Sequence, residues 1–176
     1  YYNVCCQVRK GIAEPEQIYK LELLMEKAHT SYKDRKVAQA AVKKAEETNA
    51  PAVAIELNDG TIITGKTTDL LGASSTMLLN EVNLLSRIVI EPIQNLKVNH
   101  LGNTNPRLHT DEVLIALSIC ALTDYNAKIA MEKLACFRGT EVHSSVILSQ
   151  VDVSVFRKLG INLTSEPTYQ TKKLYH

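Results

Sequence analysis

The spacing of apolar residues changes along this chain, and each change predicts an element. Residues 1–13 show no clear period; the run Val4-Cys5-Cys6-Gln7-Val8 reads as a short buried strand, turned by Lys10-Gly11. From Glu14 to Ala28 the apolar residues Ile18, Leu21, Leu24 and Met25 recur at helical spacing, with Pro15 early and Glu14 and Glu16 at the positive end. Thr30 or Ser31 then caps a helix over 32–48, with Val37, Ala38, Ala41, Val42 and Ala45 facing inward. After Asn49-Ala50-Pro51 the period drops to two: Val53, Ile55 and Leu57 predict a strand, Asn58-Asp59-Gly60 a hairpin turn, and the β-branched Thr61–Thr64 the return strand. A third helix is predicted from Asp69 to about residue 85, with the small run Gly72-Ala73-Ser74-Ser75 inside it allowing close approach of a backbone or ligand. A fourth is predicted over 88–100, closed by Gly102.

The segment NPRLHTDEVLIALSIC, residues 105–120, joins two opposite textures. Val113–Ile119 is apolar almost all round, which predicts a buried helix. Just before it, Arg107, His109, Thr110, Asp111 and Glu112 crowd six positions with polar and ionisable groups. Thr123-Asp124 then caps a further helix to Leu134; Glu141–Leu148 reads as a strand, Val151–Leu159 as a short helix and Ile161–Thr164 as a last strand, with Gly160 as the stop between them. The whole predicts an α/β fold: a small mixed sheet with helices on both faces, plus an extra helical segment. The strand–helix–strand end is expected to be a right-handed parallel crossover. The domain division is residues 1–48, an N-terminal strand and helical segment, followed by 49–176, an α/β/α domain.

Composition narrows the function classes. Twenty basic against nineteen acidic residues in 176 give a net charge of +1, without the basic excess of a nucleic-acid binder. No apolar run approaches the ~20 residues that span a bilayer, and no signal peptide is recognised. Cys5, Cys6, Cys120 and Cys136 match neither a disulfide framework nor a CxxC pair, which predicts reduced thiols and a cytoplasmic setting.

The candidate chemistry centres on the segment before the apolar helix. Thr110 as helix cap, with Asp111 and Glu112 favouring the dipole, accounts for three residues without any function. Arg107 and His109 remain: Arg107 suits a carboxylate or phosphate, and His109 a proton carrier with Asp111 or Glu112 as partner. His109-Thr110-Asp111 is HxD, with no PCxxC anywhere and no HExxH, so no metal is expected; no cofactor is expected either. Glu141 and His143 share one strand face and join this site only if that face meets it. Arg35 and Cys6 are weaker ligand candidates. Gly60–Thr67, GTIITGKT, matches GxxxxGK followed by Thr, and Lys66 could meet an anion. Four β-branched residues resist the curvature of a phosphate loop, so the hairpin reading is preferred and nucleotide binding kept as an alternative.

Several blocks together resemble one family: Cys5–Gly11, HTSYKDRKVA from His29, AIELNDGTIITGKTTDLLGASS from Ala54, NPRLHTDEVLIALSI from Asn105, and VFRKLGINLTSEP from Val155 with KKLYH at the end. The chain is similar to the C-terminal portion of bacterial uncharacterised protein family zero-three-seven-one, also called domain of unknown function eighteen-forty-six. The resemblance implies a larger N-terminal α/β domain outside this chain, a longer connection near residues 85–89, and a cytidine-deaminase-like topology without that enzyme's zinc motif. It supplies no catalytic residues. Two functions compete: an enzyme or enzyme subdomain acting on a small anionic metabolite, and a non-catalytic assembly domain. In the second, residues 14–28 and 88–100 dock on the N-terminal part or in a homo-oligomer, with an apolar patch along Ile18, Leu21 and Leu24. Neither nucleic acid nor membrane is expected as a partner.

Overall fold

A computed structural model describes residues 1–86 and 107–170. The predicted helix over 88–100 lies outside these residues. Seven α-helices are described: α1 (Tyr2–Arg9), α2 (Glu16–Lys27), α3 (Lys36–Thr48), α4 (Ala73–Ser86), α5 (Thr110–Cys120), α6 (Tyr125–Lys133) and α7 (Gln150–Lys158). Four strands, β1 (Ala52–Glu56), β2 (Ile62–Lys66), β3 (Glu141–Ser144) and β4 (Asn162–Ser165), form one mixed sheet in the order β2-β1-β3-β4.

Strand β1 is antiparallel to both β2 and β3, and β3 is parallel to β4 across the α7 connection. Alternation along the strands separates two cores. Val53, Ile55 and Val142 pack with Met77, Leu78 and Val82 of α4, Val113 and Leu117 of α5, and Phe156 of α7. On the other face Ala54 packs against Val37 and Ala41 of α3. Tyr2 of α1 meets the ring of His143, which stands opposite Ala54, at 4.5 Å. Residues 1–48 thus supply a helix layer over one sheet face.

Local chemistry explains several boundaries. Ser31 and Asp34 form a reciprocal capping box, with the Ser31 N–H donating to Asp34 Oδ2 at 2.7 Å. Arg35 is extended, so the predicted 32–48 helix divides into a single 3-10 turn and α3. Asp124 caps α6 by accepting from the Asn126 and Ala127 N–H groups at 2.7 and 3.2 Å. Gly60 takes φ 82° in the hairpin turn. At Gly65 a Cβ would stand 2.1 Å from the Met77 backbone nitrogen, so glycine lets β2 lie directly on α4.

Three expectations need correction. The run Val4–Val8 is helical: Tyr2 and Cys5, three apart, are the buried positions of α1. Helix α4 begins at Ala73, so Gly72–Ser75 stands at its start rather than inside it. The Val113–Ile119 part of α5 is apolar almost all round but not buried all round; Val113 and Leu117 are fully enclosed while Ile115 and Ile119 are 55% and 54% exposed. The hairpin reading of GTIITGKT, preferred to a phosphate loop, matches the structure: Ile62–Lys66 is strand β2, extended and paired with β1, without the curved backbone that a phosphate loop needs.

Candidate functional site

Antiparallel pairing of β1 with both neighbours brings the carboxyl ends of β2, β3 and β4 to one edge of the sheet. Ligands of open α/β sheets bind outside the carboxyl ends of strands, where helices begin. A cavity of about 340 Å³ lies at this edge. Three helices start on its wall: α4 at Gly72-Ala73-Ser74, α5 at Arg107-Leu108-His109, and α7 at Leu148-Ser149. Thr67 after β2, and Tyr169 and Gln170 after β4, complete it.

Short backbone links fix the α4 and α5 starts relative to each other. Leu70–Leu71 and Leu108 form a single parallel bridge: the Leu108 N–H donates to the Leu70 carbonyl at 2.8 Å, and the Gly72 N–H to the Leu108 carbonyl at 3.1 Å. The Ser75 hydroxyl donates to the same carbonyl at 3.0 Å. Arg107 is tethered through Nε to the Thr68 carbonyl at 2.8 Å, which anchors its guanidinium on the wall. Ser74 is 2% exposed, and among the described residues its hydroxyl has no hydrogen-bond partner.

His109 is the cap residue of α5, a role expected for Thr110. Its backbone N–H donates to Glu112 Oε2 at 2.7 Å. Its ring is partly exposed, with Nδ1 3.8 Å from Asp152 Oδ2. That is too long for a good hydrogen bond but close for an ion pair when the ring is protonated. Asp152 is held firmly. It accepts from the Thr110 N–H at 3.2 Å and the Thr110 hydroxyl on one oxygen, and from the Ser149 hydroxyl at 2.8 Å on the other. Thr110, with no exposed surface, therefore links the starts of α5 and α7.

The other sequence candidates fall elsewhere. Asp111 and Glu112 are not on the cavity wall. Lys66 is exposed at the end of β2 and does not line the cavity either. Glu141 and His143 stand on the α3 side of the sheet, in another cluster. Arg35 pairs with Glu141 and donates to Thr164, while the fully buried His143 ring meets Thr164 Oγ1 at 2.8 Å and Glu166 Oε1 at 3.2 Å. These contacts tie the segment before α3 to the sheet. Cys6 lines a separate cavity beside β4; its thiol donates to the Ser165 carbonyl at 3.2 Å, and burial pushes its pKa up, which disfavours the nucleophilic thiolate. All four cysteines are free thiols.

Sequence reasoning missed Ser149 and Asp152 as wall residues, and named Ser74 only within the small run Gly72–Ser75 that would admit a backbone or ligand. Ser149-Gln150-Val151-Asp152 carries the S-x-x-D signal of a helix start, so that pair is readable as a cap. Its meeting with Thr110 and His109, some forty residues away in sequence, is not. Among the described residues no group of three or more His, Cys, Asp or Glu side chains could hold a metal. No described helix is long and apolar enough to cross a membrane.

Residues 33–175 match the family model described as "Domain of unknown function DUF1846, C-terminal". The chain is 49% identical to a UPF0371 protein of Corynebacterium glutamicum and 43% identical to one of Streptococcus pyogenes, in each case over 99% of the chain. It spans 37% of the length of these relatives. With so much of its length matched at that identity, the chain belongs to the bacterial DUF1846/UPF0371 family of uncharacterised proteins.

Proposed function

We propose that the cavity at the carboxyl edge of the sheet binds a small anionic metabolite, and that the chain contributes this site to an enzyme acting on it. The observation that carries the reading is the start of α4. Helices α5 and α7 already hold acidic residues in their first turns, Asp111 and Glu112 in one and Asp152 in the other. Helix α4 holds none, so its positive end is uncompensated, and the buried Ser74 hydroxyl stands there on the wall of the same cavity as Arg107. A carboxylate or phosphate would take the α4 N–H groups, the Ser74 hydroxyl and the guanidinium together. His109, backed by Asp152, is then the proton carrier.

Titration calorimetry with inorganic phosphate and with small carboxylates tests this. Binding that weakens roughly tenfold or more in Arg107→Ala supports it, since a charge-assisted contact contributes about 1.5–3 kcal/mol. No binding of either anion, or equal binding by the variant, removes it.

A second reading is favoured by one observation. Helix α2 has no buried residue, and Ile12, Tyr19, Leu23 and Leu24 are 72%, 63%, 39% and 60% exposed. Such a face suits assembly, with the remainder of a longer family member or with a second copy. Ile18 and Leu21 are only half-buried.

A further inference from the structure

A second cavity, about 570 Å³ and more open, adjoins the first. The two share Pro51, Val146, Tyr169 and Gln170, so they are neighbours on either side of a common wall. The wall is fixed by backbone. The Thr67 N–H donates to the Pro51 carbonyl at 2.8 Å, and the Ile147 N–H to the Thr168 carbonyl at 2.7 Å.

The cavities have opposite electrostatic character. The first has the uncompensated start of α4, Arg107 and His109; its one carboxylate, Asp152, already accepts from Thr110 and Ser149 and faces the His109 ring. The second is formed by the closing end of α3 and the segment after β4. Its wall carries two carboxylates, Glu46 and Glu166, and no cationic side chain. The last turn of α3 contains no basic residue, so its negative dipole end is uncompensated as well. Glu166 points one oxygen at His143 Nε2, while Glu46 is exposed.

We infer that the two neighbouring cavities take one zwitterionic metabolite laid across their common wall, its phosphate or carboxylate in the first and its ammonium group in the second against Glu46 and Glu166. The inference rests on the anion reading of the first cavity and adds the substrate class. A dianion of similar size meets attraction at one end and two carboxylates at the other. A zwitterion meets an opposite charge at both ends.

The test is calorimetry with matched probes: ethyl phosphate, and a graded series of ω-aminoalkyl phosphates from ethanolamine phosphate to aminohexyl phosphate. The expected result is a series member binding roughly fivefold tighter than ethyl phosphate, the gain of one partly exposed ion pair of about 1 kcal/mol. Glu46→Gln is expected to reduce that preference, and Glu46→Gln with Glu166→Gln to abolish it. Arg107→Ala is expected to weaken both probes. Binding of ethyl phosphate with no preference at any chain length overturns the zwitterion and leaves the anion site standing. A preference that survives loss of both carboxylates overturns the assignment of the ammonium position. Failure of every phosphate to bind overturns both readings.

Discussion

Glu81 is a carboxyl group in the wrong solvent. It sits on the buried face of α4 with Met77, Leu78 and Val82, without exposed surface, and neither of its oxygens has a partner among the described residues. Burial raises its pKa to about 8. An unfolded chain releases the same proton at pH ~4.3. Between these values the unfolded state binds fewer protons than the native one, so stability falls as pH rises, by about 1.4 kcal/mol per unit. The contribution is complete below about pH 4, and is lost by about pH 8. Across the whole window the loss is of the order of 5 kcal/mol, much of the stability of an ordinary domain. Glu81→Gln keeps the shape and removes the titration. Its expected cost at pH ~5 is within about 1 kcal/mol, and at pH ~8 it is expected to be the more stable protein by several kcal/mol. Glu81→Leu removes the unpartnered polar group and is expected to stabilise further. Urea unfolding midpoints between about pH 5 and pH 8 are the assay. If Glu81→Gln keeps the pH slope of the parent, Glu81 either has a charge partner or is not enclosed, and the reasoning fails.

Two further predictions concern packing and assembly. Gly65→Ala places a methyl carbon 2.1 Å from the Met77 nitrogen, against helix backbone that cannot yield as a side chain would. The expected cost is about 3 kcal/mol or more by urea unfolding, and a loss under about 1 kcal/mol would show that β2 and α4 separate easily. On α2, Tyr19→Ser with Leu24→Ser is expected to change stability by less than about 1 kcal/mol, because both side chains are mostly exposed. Under the assembly reading the same pair weakens association in sedimentation velocity, and unchanged association rejects that face as an interface.

Legibility tracks the range of the interaction. The β1–β2 hairpin is written locally, in the alternation from Val53 and the Asn58-Asp59-Gly60 turn, and so are the caps at Ser31 and Asp124. Helix α1 escapes a sequence reading because a short apolar run fits either period; its burial is decided by His143 and Tyr32, distant in sequence. The exposure of Ile115 and Ile119 is hidden too, since composition reports how apolar a helix is and not how many of its sides have a neighbour.

The candidate site is half visible for the same reason. Arg107 and His109 stand out in the sequence because the cap expected at Thr110 leaves them unexplained, although the cap position is His109 itself. Ser74 and Asp152 do not, because each has an adequate local reading, one as part of a small run inside a helix and the other as the partner of the Ser149 cap. Their second roles exist only where β2, β3 and β4 end together and three helices begin around one cavity. At Asp152 the two roles are inseparable: one carboxylate serves the α7 cap, the Thr110 hydroxyl and the His109 ring. A change at Asp152 therefore disturbs fold and site together, and its loss could not be assigned to either. Arg107 caps no helix but is tethered through Nε to the Thr68 carbonyl, so Arg107→Ala is read by anion binding and urea unfolding together, and a binding loss at an unchanged unfolding midpoint belongs to the site.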